Sequence, residues 1–364
     1  MHIPDGYLSP STCAVAAGAM TPVWFTAGRR LRKVVTHRYA PLVALAAAYC
    51  FCVMMFNVPI PDGTTAHAIG GVLIAVLLGP WAAVVAVSVA LAIQALFFGD
   101  GGVLAFGANA LNMAFVMPFV GYGVYVSLAG RAPLQSRRRA VAAGAGAYVG
   151  LNAAALFAAV ELGLQPALFH TANGTPLYAP FRLSQTIPAL ALAHLTVAGA
   201  VECALTIGVV TYLQRANVPL LRLNHRDVPL DDAEAHDRRL SENARRRGRG
   251  RVALLVFGIG ALLTPIGLLA QGNAFGEDAP ADLDLHRYHL QSVPNGLAHY
   301  AGFWHHALLA GYGFGHDAHP IFGYVVSAIV GMAAIAAVAF LLVALLGRAR
   351  SRYGPRSGAR SVPR

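Results

Sequence analysis

Apolar residues in this chain come in long runs separated by short polar segments. Nine runs stand out, at roughly 10–28, 40–58, 64–79, 81–98, 108–128, 139–160, 184–213, 252–270 and 321–347. An α-helix rises 1.5 Å per residue, so about 20 residues cross a hydrocarbon core of about 30 Å. The pattern predicts an all-α integral membrane protein with about nine transmembrane helices. The third run is short and meets Gly79-Pro80 at once. That dipeptide predicts either a tight turn, making 64–98 a helical hairpin, or one long broken helix.

The polar segments divide the chain. Residues 1–215 hold seven runs and form one predicted unit. An Arg- and Asp-rich linker follows at 216–250. Residues 251–347 then hold two runs around a loop, and 348–364 is an Arg/Ser/Pro tail expected to be disordered and cytoplasmic.

Charge sets an orientation. Only 12% of residues are charged, against about 25% in soluble domains. Of the 27 basic residues, all but Arg182 and Arg287 fall on one side of the predicted membrane. They cluster at Arg29–Arg38, Arg131–Arg139, Arg215–Arg251 and Arg348–Arg364. The positive-inside rule then puts the N-terminus outside and the linker in the cytoplasm. The net charge of +11 is topological, directed at anionic lipid and not at nucleic acid. The expected location is the bacterial inner (cell) membrane, crossed many times. The four cysteines, Cys13, Cys50, Cys52 and Cys203, lie in apolar runs without Cys-x-x-Cys spacing, which assigns them to packing.

The first two residues carry candidate chemistry. A free Met1 amine, the His2 amide nitrogen and the His2 ring can close two fused chelate rings on one cation. That array is near planar, and a fourth nitrogen from elsewhere completes a square. Such a plane suits Ni²⁺ and Cu²⁺ and tolerates Co²⁺, whereas Zn²⁺ prefers a tetrahedron. No basic residue precedes the first apolar run, as a signal peptide would require, so Met1 is expected to be the mature terminus.

Two further segments fall on the same predicted face. In Pro61-Asp62-Gly63-Thr64-Thr65-Ala66-His67, Asp62-Gly63 predicts a turn and Thr64 or Thr65 a helix cap, placing His67 in the first turn of the third run. An ionisable residue there is a functional candidate. In Phe97–Gly102 and Gly107–Met113, the polar residues Asp100, Asn109 and Asn112 are candidates to orient ligand imidazoles from behind.

These motifs together resemble the CbiM/NikM family, the substrate-binding (S) components of energy-coupling-factor cobalt and nickel importers. The resemblance rests on Met1-His2-Ile3-Pro4-Asp5-Gly6-Tyr7-Leu8-Ser9-Pro10, then Gly63–Gly71, Gly79-Pro80-Trp81-Ala82, Phe97–Gly102 and Gly107–Met113, and covers about the first 215 residues. It implies seven membrane helices with the N-terminal segment folded inward. It also implies a planar metal site from the Met1 amine, the His2 amide and ring nitrogens, and a further histidine that falls on His67. Pro4-Asp5-Gly6 is more similar to the nickel branch.

The second unit resembles the small auxiliary (NikN/CbiN-like) component, fused here to the C-terminus. Pro294-Asn295-Gly296-Leu297 resembles a degenerate Pro-Asp-Gly-Leu motif, with Asn295 and Ala298 at acidic positions. Its loop holds His286, His289, His299, His305, His306, His316 and His319. Two roles stay open for it: weak metal capture, with His299, His305 and His306 the candidates, or a cover packed over the metal site.

The resemblance implies Ni²⁺ or Co²⁺ as substrate, no catalytic cofactor, and as partners a transmembrane coupling (T) subunit with two ATP-binding cassette ATPase subunits. The chain has one lysine, Lys33, outside any Gly-Lys-Ser/Thr motif, so the ATPase must be separate. Small-residue faces at 40–48 and Gly144–Gly150 suit either the coupling subunit or internal packing. One alternative is a stand-alone ion-coupled permease, for which Glu202 is the clearest intramembrane carboxylate, although a structural hydrogen bond explains it as well. Another is a metal-dependent membrane hydrolase, which His-Glu-x-x-His would signal and no segment supplies.

Overall fold

The computed structural model describes residues 1–34, 39–60, 64–225, 257–270, 272–314 and 319–353. The predicted Asp62-Gly63 turn, most of the 216–250 linker, His316 and the tail from 354 lie outside the described residues. Helix dominates. The elements are α1 (Pro10–Val34), α2 (Tyr39–Met54), β1 (Val58–Ile60), β2 (Thr64–Ala66), α3 (Gly71–Leu78), α4 (Pro80–Phe98), α5 (Phe106–Ala129), α6 (Arg137–Leu168), α7 (Leu183–Ala216), α8 (Phe257–Leu269), α9 (Asn295–Tyr300) and α10 (Pro320–Tyr353).

Five of these are long and apolar enough to cross a membrane: α4, α5, α6, α7 and α10. The helices α2 and α8 are apolar but shorter. The helix α1 is long and ends in the basic cluster at Arg32 and Lys33. The protein is a helical membrane protein, and most helices start and stop within a few residues of the predicted runs.

The third run is the exception. A helix over 64–79 does not form. Thr64–Ala66 pairs antiparallel with Val58–Ile60 instead, and α3 is only eight residues long. Eight residues span about 12 Å, too little to cross alone. His67 therefore follows the strand and precedes the helix, outside both, and the threonines are in a strand and not in a cap. The local cause is β-branched Thr64 and Thr65 opposite Ile60 and Pro59, a pairing that outranks weak helix propensity. Gly79, at φ +92°, then turns the chain in one residue into α4, whose Pro80 sits at the first helical position.

Packing is close where small residues meet. A Cβ on Gly146 would lie 2.4 Å from Gly121 O, and one on Gly150 2.5 Å from Met117 O, so α5 and α6 approach backbone to backbone. Gly144 faces Ile207 and Cys203 of α7. Ala40, Ala44, Ala47 and Ala48 are buried within α2, which packs on α4 and α10. Both small-residue faces are thus used internally.

The C-terminal unit packs into the first block. Tyr324 donates to Met55 O at 2.9 Å, and Gly331 leaves room only for Phe51 and Phe98. The helix α10 continues through Tyr353, past the Gly347 boundary expected from the sequence. The cysteines are free thiols, three of them buried.

Candidate metal centre

The N-terminal segment runs inward, turns at Asp5–Tyr7 with Gly6 at φ +91°, and is fixed along its length. Ile3 N–H donates to Asn109 Oδ1 at 2.8 Å, and Asn109 Nδ2 donates back to Ile3 O at 3.0 Å. Gly102 N–H also reaches Ile3 O, at 2.9 Å. The Asp5 carboxylate accepts from the amides of Val103, Leu104 and Ala105 at 2.8–3.1 Å. Burial pushes the Asp5 carboxyl above its ordinary value, and those three amides pull it back down. Ser9 N–H bonds Gln165 Oε1, and Tyr7 OH bonds Asp278 O. Only glycine fits at Gly102, where a Cβ would sit 2.1 Å from Asp5 Oδ1 and 2.6 Å from Asp5 N.

This docking buries Met1, His2 and His67 together. Met1 is 5% exposed, His2 3% and His67 6%. The His2 and His67 rings stack with centroids 5.0 Å apart. The Met1 ammonium pairs with Glu277, from the loop before α9. His2 Nδ1 lies 3.3 Å from Asp100 Oδ1. Asp100 in turn accepts from Gln94 Nε2 at 3.1 Å and from the Tyr312 hydroxyl.

His67 is aimed by its backbone. Its Nδ1 meets Ala68 O at 3.1 Å, leaving Nε2 buried with no hydrogen-bond partner among the described residues. Two residues on, the amides of Ile69 and Gly70 converge on Glu202, which is fully buried, at 2.7–3.1 Å. Gly70 makes this turn at φ +78° with Tyr49 against it, where a Cβ would lie 2.4 Å from the ring. Glu202 is thus a structural acceptor fixed to the segment that carries His67.

The other sequence candidates separate. Asp100 reaches His2. Asn109 grips main chain and no imidazole. Asn112 donates to Glu161 at 2.7 Å, with its Oδ1 unpartnered among the described residues. His299, His305 and His306 lie exposed on the C-terminal loop, with the last two rings 4.1 Å apart. That loop covers the N-terminal segment. Leu297 O and Ala301 N abut Gly6, Trp304 Nε1 bonds Leu96 O, and Leu309 N–H bonds Phe97 O.

Sequence reasoning missed Glu277, Tyr312, Gln94 and His194. Glu277 and Tyr312 are acidic and aromatic residues in a polar loop, with no local signal. Gln94 and His194 sat inside apolar runs and had a signal, since polar residues there are functional candidates by default. Among the described residues, no three His, Cys, Asp or Glu side chains form a group fit to hold an ion. A donor set half made of main-chain nitrogens does not require one.

These features define a membrane protein with a buried, nitrogen-rich site covered by the C-terminal loop. The family model for the cobalt uptake substrate-specific transmembrane region, CbiM, matches residues 2–220, and the chain belongs to that family, with a fused C-terminal unit. It is 48% identical over 351 residues to the fused nickel transport protein NikMN of Rhodobacter capsulatus, covering 93% of this chain and 95% of that one. It is 45% identical over 337 residues to the probable fused nickel transport protein LarMN of Lactiplantibacillus plantarum, covering 91% and 94%. A crystal structure of a truncated transition metal transporter is 56% identical and superposes with a TM-score of 0.55, over 58% of this chain and 98% of that one.

Proposed function

We propose that this chain is the substrate-binding subunit of an ATP-driven importer for Ni²⁺ or Co²⁺ in the bacterial inner membrane. The carrying observation is the joint burial of the Met1 amine, His2 and His67 beneath loops fixed to the N-terminal segment. Its donors are the Met1 amine, the His2 amide and ring nitrogens, and His67 Nε2. Within His2, only Nδ1 can close a six-membered ring with the residue's own amide nitrogen. Without metal, Glu277 holds the amine and Asp100 faces Nδ1. An arriving ion therefore displaces two carboxylate contacts as it sheds water. Binding deprotonates the amine and the His2 amide, so acid opposes it. The relatives named for nickel transport support nickel over cobalt.

In this reading the N-terminus faces outward, seven helices form the metal-binding unit, and two more with their loop form its cover. Separate coupling and ATPase subunits drive release inward. A stand-alone ion-coupled permease would need a carboxylate free to exchange protons, and Glu202 is instead committed to two backbone amides. Reconstitution with the coupling and ATPase subunits tests the proposal. Nickel uptake should require ATP, and both an Ala inserted between Met1 and His2 and His67→Ala should abolish it. Uptake that continues without ATP, or that tolerates the insertion, would defeat it.

A further inference from the structure

His194 opens a π-helical turn, His194–Ala198, in the middle of α7. Such turns are rare and cluster at functional sites. This one packs against both strands of the hairpin that leads into His67. His194, at the head of that turn, is 2% exposed.

Its wiring repeats that of His67. His194 Nδ1 meets Leu190 O at 2.8 Å, as His67 Nδ1 meets Ala68 O. A carbonyl only accepts, so Nδ1 carries the hydrogen and Nε2 presents a lone pair. A neutral imidazole fixed in this tautomer by a backbone carbonyl is the form that ligates metal. In both residues Nε2 is buried without a hydrogen-bond partner among the described residues. A purely structural histidine in a dry interior would have that acceptor satisfied.

We propose that His194 is a metal ligand, its Nε2 taking the cation together with His67 Nε2 as the ion leaves the Met1 and His2 nitrogens. The inference rests on the N-terminal chelate reading, to which it adds an inner station sharing His67. It gives the ion two imidazoles to hold while the planar donors let go one by one.

The test uses the full chain in lipid nanodiscs, with Ni²⁺ titrated alone by calorimetry and its neighbours counted by X-ray absorption. An Ala inserted between Met1 and His2 dismantles the fused chelate and should lower nickel affinity by about a hundredfold or more. A weaker site should remain, with two imidazoles around the metal. Adding His194→Asn should weaken it by at least about tenfold further. Asparagine keeps an N–H where Nδ1 stood, preserving the bond to Leu190 O, but has nothing in place of Nε2. Thermal stability equal to that of the parent separates lost ligation from lost fold, and His67→Ala should act alike. A residual site indifferent to His194→Asn, or no residual site, overturns the proposal. Affinity untouched by the insertion would instead remove the planar chelate, and this inner station with it.

Discussion

Replacing Asn109 by Ala should undock the N-terminal segment without touching any of the proposed metal donors. The substitution removes both bonds between Asn109 and Ile3. Ile3 N–H is left buried and unpaired, at about 1–3 kcal/mol. Ile3 O keeps Gly102 N–H, so losing the second bond costs about 1 kcal/mol. Together these make about 2–4 kcal/mol, or roughly 30- to 700-fold in the docking equilibrium at 1.4 kcal/mol per decade. Apparent nickel affinity falls only to the extent that the undocked state becomes populated. Hydrogen exchange of residues 3–9 in the metal-free protein reads the docking equilibrium directly, and calorimetry reads the affinity. Protection of that segment should drop by at least about 30-fold, with the exchange of α4 to α7 unchanged. Protection that drops less than about fivefold would show that this side chain does not hold the segment in place.

Other perturbations probe separate parts of the structure. Glu202→Gln offers one oxygen to two buried amides and removes their charge-assisted bonds, so nickel affinity should fall by about tenfold or more, with raised exchange at Ile69 and Gly70; unchanged affinity and exchange would deny that Glu202 positions His67. Gly102→Ala drives a Cβ into Asp5 and should lower the melting temperature and metal binding together, whereas Gly208→Ala, with open space around it, should do neither. On the opposite face, His225 bonds the Tyr125 hydroxyl, and burial, helped by Arg139, lowers its pKa to about 4. The unfolded chain takes up a proton there near pH 6.5 while the folded chain does not, so stability is lost as pH falls from about 6.5 toward 4, by about 2 kcal/mol at pH 5. His225→Gln should flatten the melting curve against pH over that range; an unaltered slope would place the acid sensitivity elsewhere.

Two structural outcomes mark the limit of pattern reading. The 64–79 run is as apolar as its neighbours, yet it begins as a strand, because Ile60 and Pro59 stand opposite Thr64 and Thr65 and Val58 opposite Ala66. A window that sums hydropathy cannot see a partner strand. The polar residues Asp100, Asn109 and Asn112 share a short stretch of chain, yet they face His2, the Ile3 backbone and Glu161 respectively. Spacing put them near the junction of two predicted helices but did not assign their contacts.

The sequence by itself determined the membrane class, the position of most helices and the chemical kind of the candidate donors. Each of these is a sum over neighbours in the chain: about 20 apolar residues for a crossing, two consecutive residues for a chelate. Only the tertiary structure decided which atoms meet. The Met1 amine finds Glu277 across 276 positions, Tyr312 reaches Asp100 across 212, and Glu202 grips Gly70 across 132. Such contacts form because a buried charge or amide must find a partner wherever the packed helices bring one, and no local pattern records where that is.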